Sequence, residues 1–108
     1  MTPQVFHILL SLAAGERHGY AIIQDVRDRT HGATRLTAST LYAALERLLD
    51  AGLIDEVDAR DDTAGPPRRC YRLTRRGGAE GRAEAARLEA LTAQARKERW
   101  LPRRRSAR

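Results

Sequence analysis

Cysteine, lysine and aromatic side chains are all scarce in this sequence. Among 108 residues there is one cysteine, one lysine and five aromatics. The lone Cys70 cannot close an internal disulfide, a usage that suits a reducing, cytoplasmic setting, and it reads as a small strand residue. With His7, His18 and His31 at no ligand spacing, one cysteine cannot complete a zinc set, so no metal is expected. Phe6, Tyr20, Tyr42, Tyr71 and Trp100 are too few to dominate a core, which must rest on Leu, Ile, Val and Ala, as packed helices do. No apolar run is long enough for a membrane span, and no basic lead-in precedes an apolar stretch and cleavage site. There is no phosphate cradle, nucleophile elbow or carboxylate pair with a neighbouring base, so neither catalysis nor a cofactor is expected. Gly77, Gly78 and Gly81 follow a strand and open a helix, but without a βαβ unit and downstream acid they make no dinucleotide loop.

What is abundant is arginine. Net charge is +6, with 42% hydrophobic and 31% charged residues, the balance of one soluble globular domain. The charge is divided unevenly. Residues 1–59 hold five arginines against eight acids (−3), and residues 60–108 hold fifteen basic residues against six acids (+9). A polyanion is the natural partner of such a half, because neutralised phosphates release counterions. Nineteen of the twenty basic residues are arginine, a usage that GC-rich coding also produces.

Along the chain, periodicity predicts helices first. Thr2 caps a helix opening at Pro3, with Val5, Ile8, Leu9 and Leu12 as its apolar stripe and Gly15 as its stop. A second helix is expected from about His18 to Arg29, with Tyr20, Ile22, Ile23 and Val26 facing inward and His31-Gly32 closing it. The third has the strongest local signal. Thr37 is its N-cap, Leu41, Ala44, Leu45 and Leu48 line its back, and Gly52 ends it. Its front reads Ser39, Thr40, Tyr42, Ala43, Glu46 and Arg47. Residues 53–57 and 69–73 are strand candidates joined by a polar, proline-bearing loop, which makes a β-hairpin. Thr74 caps a fourth helix to about Arg99. Its three early glycines each cost roughly 1 kcal/mol relative to Ala, and so thin an apolar stripe needs a partner surface.

The expected fold is therefore mainly α with a small β-hairpin: a winged helix-turn-helix over residues 1–74, a C-terminal dimerisation helix over 75–100 and a basic flexible tail over 101–108. In this order of elements the sequence resembles the PadR family of bacterial transcriptional regulators, in its compact branch. The resemblance lies in His18-Gly19-Tyr20, in Thr40-Leu41-Tyr42 with Ala44-Leu45, Leu48 and Gly52-Leu53-Ile54, and in Gly65-Pro66-Pro67-Arg68-Arg69 followed by Tyr71-Arg72-Leu73-Thr74. Ala43 stands where the family often has proline, and Cys70 where it often has an aromatic.

The resemblance implies a cytoplasmic homodimeric repressor on a palindromic operator in double-stranded DNA. The third helix would enter the major groove, with Ser39, Thr40 and Tyr42 on bases or phosphates and Arg47 on the backbone. Against this stand capping by Thr40 and packing by Tyr42. Arg68 and Arg69 at the stiffened hairpin tip suit a phosphate or minor-groove contact, or serve only as solvated turn charges. Tyr20 is expected to tie helices together, with a phosphate contact as its second role. Leu88, Leu91 and Ala95, with Ala83 and Ala86, would form the dimer seam. Trp100 resembles the tryptophan that some members use to bind a flat aromatic effector at the dimer centre; packing on the dimer surface is the alternative. Two other readings compete: a basic nucleic-acid-binding protein without sequence preference, and a winged-helix module that binds protein.

Overall fold

A computed structural model describes residues 1–58 and 69–103. The chain forms α1 (Pro3–Ala13), β1 (Arg17–His18), α2 (Gly19–Arg29), α3 (Ala38–Asp50), β2 (Ile54–Asp58), β3 (Arg69–Leu73) and α4 (Arg75–Lys97). The mainly helical fold with a small antiparallel sheet agrees with the expectation from sequence. The loop carrying Gly65, Pro66, Pro67 and Arg68 lies outside the described residues, as do residues 104–108 of the tail.

Side-chain caps start the helices where the sequence places them. Thr2 accepts from the Val5 amide at 3.2 Å, Thr37 from Thr40 at 3.2 Å and Thr74 from Gly77 at 3.0 Å. Each bond satisfies an amide that helical geometry leaves without a partner. At the far end of α3, the Leu53 amide reaches the Leu48 carbonyl and Gly52 reaches Leu49, both at 3.0 Å. This paired closure needs a left-handed residue, supplied by Gly52 at φ 76°. His31 serves the same purpose after α2 at φ 52°, at a cost glycine would avoid.

The core forms between the three helices and the sheet. Ile8, Leu9 and Leu12 of α1 meet Ile22 and Val26 of α2, the four apolar positions of α3, and Ile54 and Tyr71 from the strands. Tyr71, at 2% exposure, is the one aromatic fully inside. Burial, then the charge of Glu56, pushes its hydroxyl above the usual tyrosine range, so it packs as a neutral group.

The sheet has three strands in the order β1-β3-β2, all antiparallel, with Arg17 opposite Tyr71 and Ile54 opposite Leu73. The third strand, β1, is an addition to the expected hairpin. Its two polar residues have no alternation to detect, and only pairing with β3 makes them a strand. Arg17 fastens this corner: its Nε donates to the Ser11 carbonyl at 3.0 Å, and its guanidinium lies 3.7 Å from Asp25.

Gly77 joins α4 to this body. It is the one buried residue of α4, and a Cβ there would overlap the Leu53 carbonyl and the Leu73 side chain. Its helix penalty is thus the condition for close approach between helix and sheet. Beyond it, Gly78, Gly81 and Ala85 share an apolar groove with Phe6, Leu10 and Ala13 of α1. The Glu84 carboxyl is held below its usual range, chiefly by its hydrogen bond to Arg87, with a smaller contribution from the amino-terminal charge. Beyond Gly77 the α4 helix runs on as a projecting arm with no fully buried residue. A radius of gyration of 16.4 Å, against about 13 Å for a compact chain of this size, reflects that projection.

Candidate nucleic-acid interface

α3 is held by its back and open at its front. Leu41, Ala44, Leu45 and Leu48 are buried, while Ser39, Thr40, Tyr42, Glu46 and Arg47 are exposed. At 3.6 residues per turn this separation follows from the apolar spacing. The Thr37 hydroxyl accepts from the Thr40 amide, donates to Thr40 Oγ1 at 2.9 Å and lies 3.4 Å from Ser39 Oγ. The cap is thus Thr37, not Thr40. Thr40, accepting from Thr37, keeps its own hydroxyl proton directed elsewhere.

Tyr42 leans away from these hydroxyls toward the start of α2. Its ring lies against Gly19 so closely that a Cβ there would overlap the phenol hydroxyl. Gly19 is therefore the seat of Tyr42. Around this contact His18, Tyr20, Tyr42 and Arg69 line one shallow depression. The packing expected for Tyr42 is real, yet 45% of the residue stays exposed.

Tyr20 differs from expectation. It is 63% exposed and does not face inward with Ile22 and Val26. Two residues before Ile22 at ~100° per residue, it sits on the far side of α2. The structure brings it beside Tyr42 and Arg69 instead.

Arg69 stands at the start of β3, 3.8 Å from Glu56, with both side chains largely in solvent. Such a pair is worth little and gives way readily to a phosphate. Glu56 and Glu46 flank the groove between α3 and the sheet, beside Tyr42 and Arg69, so the anion-friendly surface narrows toward the helix N-terminus. Arg47 is not part of the cluster. Five residues beyond Tyr42, it lies about 140° around the helix, on the opposite flank. The structure thus gathers Tyr20, Tyr42 and Arg69 and sets Ser39 one turn before Tyr42, while Thr40, two residues from Tyr42, lies about 160° around α3 on the side that carries Arg47. His18 and Gly19 belong to the site although the sequence singled them out only as part of a motif.

A protein-family comparison matches residues 8–83 to the transcriptional regulator PadR-like family. The chain belongs to the PadR-like family of transcriptional regulators. Its members regulate transcription and are not enzymes. A relative from Lysinibacillus sphaericus, an uncharacterized protein, is 35% identical over 72 residues, which is 67% of this chain and 65% of that one. The match thus spans slightly less than two thirds of that relative. A transcriptional regulator from Clostridium thermocellum superposes with a TM-score of 0.74 at 26% identity, over 86% of this chain and 89% of its own. Bacillus subtilis PadR, solved in complex with operator DNA, superposes with a TM-score of 0.66 at 22% identity, over 100% of this chain and 51% of its own.

The PadR-like match stops at residue 83, near where α4 leaves the body. Beyond that point, Leu88 and Ala95 are half-buried and Leu91 is 48% exposed. At offsets of three and seven residues, these three share one side of the helix. Ala83 and Ala86 are exposed and lie about 140–160° from Leu88, so they do not continue that strip. The helix end is closed rather than frayed. Arg99 turns left-handed at φ 63°, and the Trp100 amide bonds to the Ala95 carbonyl at 3.0 Å. Trp100 itself is 80% exposed.

Proposed function

We propose that this PadR-like protein is a sequence-specific repressor that binds a palindromic operator as a homodimer. One observation carries the reading: α3 buries Leu41, Ala44, Leu45 and Leu48 and leaves Ser39, Thr40 and Tyr42 exposed, with Tyr42 in one depression with Tyr20 and Arg69. Hydroxyls at the front of a recognition helix can donate to or accept from base edges. Tyr20, Arg69 and Arg47 then hold the phosphates on either side, and Arg68 in the wing loop adds a further contact. The operator complex of Bacillus subtilis PadR supports DNA as the partner.

Leu88, Leu91 and Ala95 form the seam between two copies. A two-fold axis there sets the recognition helices about 34 Å apart, one turn of B-DNA. A flat aromatic molecule held at the dimer centre by Trp100 changes that spacing and releases the operator. The protein acts in the cytoplasm, where its DNA partner lies.

Selection from a random duplex library tests the reading. It predicts enrichment of a two-fold symmetric motif with half-sites one helical turn apart. Equal retention of unrelated sequences at physiological salt would instead establish a non-specific basic protein, and no retention at all a protein-binding module.

A further inference from the structure

His18 lines the depression that holds Tyr20, Tyr42 and Arg69, and its hydrogen bonding shows which ring nitrogen is the acceptor. The Ala21 amide donates to His18 Nδ1 at 3.2 Å, capping α2. An N–H can donate only to an unprotonated ring nitrogen, so the proton of the neutral ring resides on Nε2. Nε2 has no hydrogen-bond partner among the described residues, and the ring borders the depression formed with Tyr20, Tyr42 and Arg69.

We propose that His18 is a DNA-contact residue that donates its Nε2 proton to a backbone phosphate as a neutral imidazole. The inference rests on the DNA reading above. The groups around the ring agree with it. Tyr20 on α2 and Tyr42 on α3 bring hydroxyl donors, Arg69 on β3 is the nearby cation, and the Glu56 carboxylate lies 3.8 Å from Arg69. Arg17, the neighbour on β1, is turned away to the Ser11 carbonyl and Asp25. Protonating Nδ1 would set two N–H groups against each other and open the cap, so the ring binds without gaining charge. A neutral donor adds affinity without displacing a counterion, whereas each arginine contact displaces about one. His18 and Arg69 therefore leave different signatures at adjacent positions.

The test is the affinity of the full chain for a random-sequence duplex at several salt concentrations. Phosphate contacts weaken all sequences alike, so no operator is needed. His18→Ser keeps a strong helix cap, and an unchanged melting temperature verifies the fold. The expected result is affinity on the order of tenfold weaker with the salt slope unchanged, while Arg69→Ala flattens the slope by about one unit. Wild-type affinity in the serine variant overturns the proposal. So does a flattened salt slope in that variant, which would mean the ring binds as a cation. Failure of the wild-type protein to bind any duplex would overturn the DNA reading and this one with it.

Discussion

The body of the molecule and the distal half of α4 follow opposite rules. In the body every helix has a covered apolar side, and Ile8, Ile22, Leu41 and Val26 are wholly inaccessible. Past Leu88 no residue of α4 is fully buried, and Leu91, Trp100 and Leu101 face water at 48, 80 and 42% exposure. A projecting helix of this kind cannot persist on propensity alone. The difference teaches that the body folds from its own contacts, whereas the distal helix is the part that the proposed homodimer would cover.

The joint between the two regions is where the comparison is broken most severely. Gly77→Ala drives a Cβ into the Leu53 carbonyl, and a loss of about 3 kcal/mol or more is expected in thermal or urea unfolding. Gly81→Ala, one turn further on, meets nothing within 4 Å and should stabilise by about 1 kcal/mol. Opposite signs for two glycines in one helix would locate the joint. Within the body, Leu45→Ala leaves a cavity and costs about 2–5 kcal/mol in the same assay.

In the distal half, Leu91→Glu should leave the body folded and abolish the dimer. Sedimentation velocity would then show monomer at concentrations where the parent chain sediments as a pair. A stable dimer of that variant would assign the exposed strip to another purpose.

The smallest effect concerns the Arg17 corner. Burial raises the Asp25 carboxyl, but the adjacent Ser11 hydroxyl, Arg29 at 2.8 Å and the charge of Arg17 outweigh it, so its pKa is lowered. A depressed folded-state value means a stabilisation that is full above the unfolded value of about 3.9 and is lost as pH falls through the folded one. Asp25→Asn should therefore lower stability slightly at neutral pH and converge on the parent as pH falls through the depressed folded-state value. A constant difference across that range would indicate lost packing instead of lost charge.

Much of the body was legible in the sequence because each signal is local. Thr2, Thr37 and Thr74 cap where their neighbours require it, and the leucine spacing of α3 determines which side is buried. β1 was hidden because two polar residues become a strand only by pairing with β3. The inward grouping of Tyr20 with Ile22, Ile23 and Val26 fails because strict helical spacing from Ile22 sets it on the far side. The same spacing separates Ala83 and Ala86 from the strip of Leu88, Leu91 and Ala95 with which the expected seam joins them. The meeting of Tyr42 with Gly19 is a contact between α3 and α2, and only the packed structure reveals it.

The central claim is that the open front of α3 reads DNA bases. Its most direct test is the ratio of affinities for the selected motif and for a shuffled duplex, in the parent chain and in a Ser39→Ala, Thr40→Val double variant. The account predicts that the ratio collapses toward one while affinity for the shuffled duplex and the melting temperature hold. A ratio equal to that of the parent would contradict it.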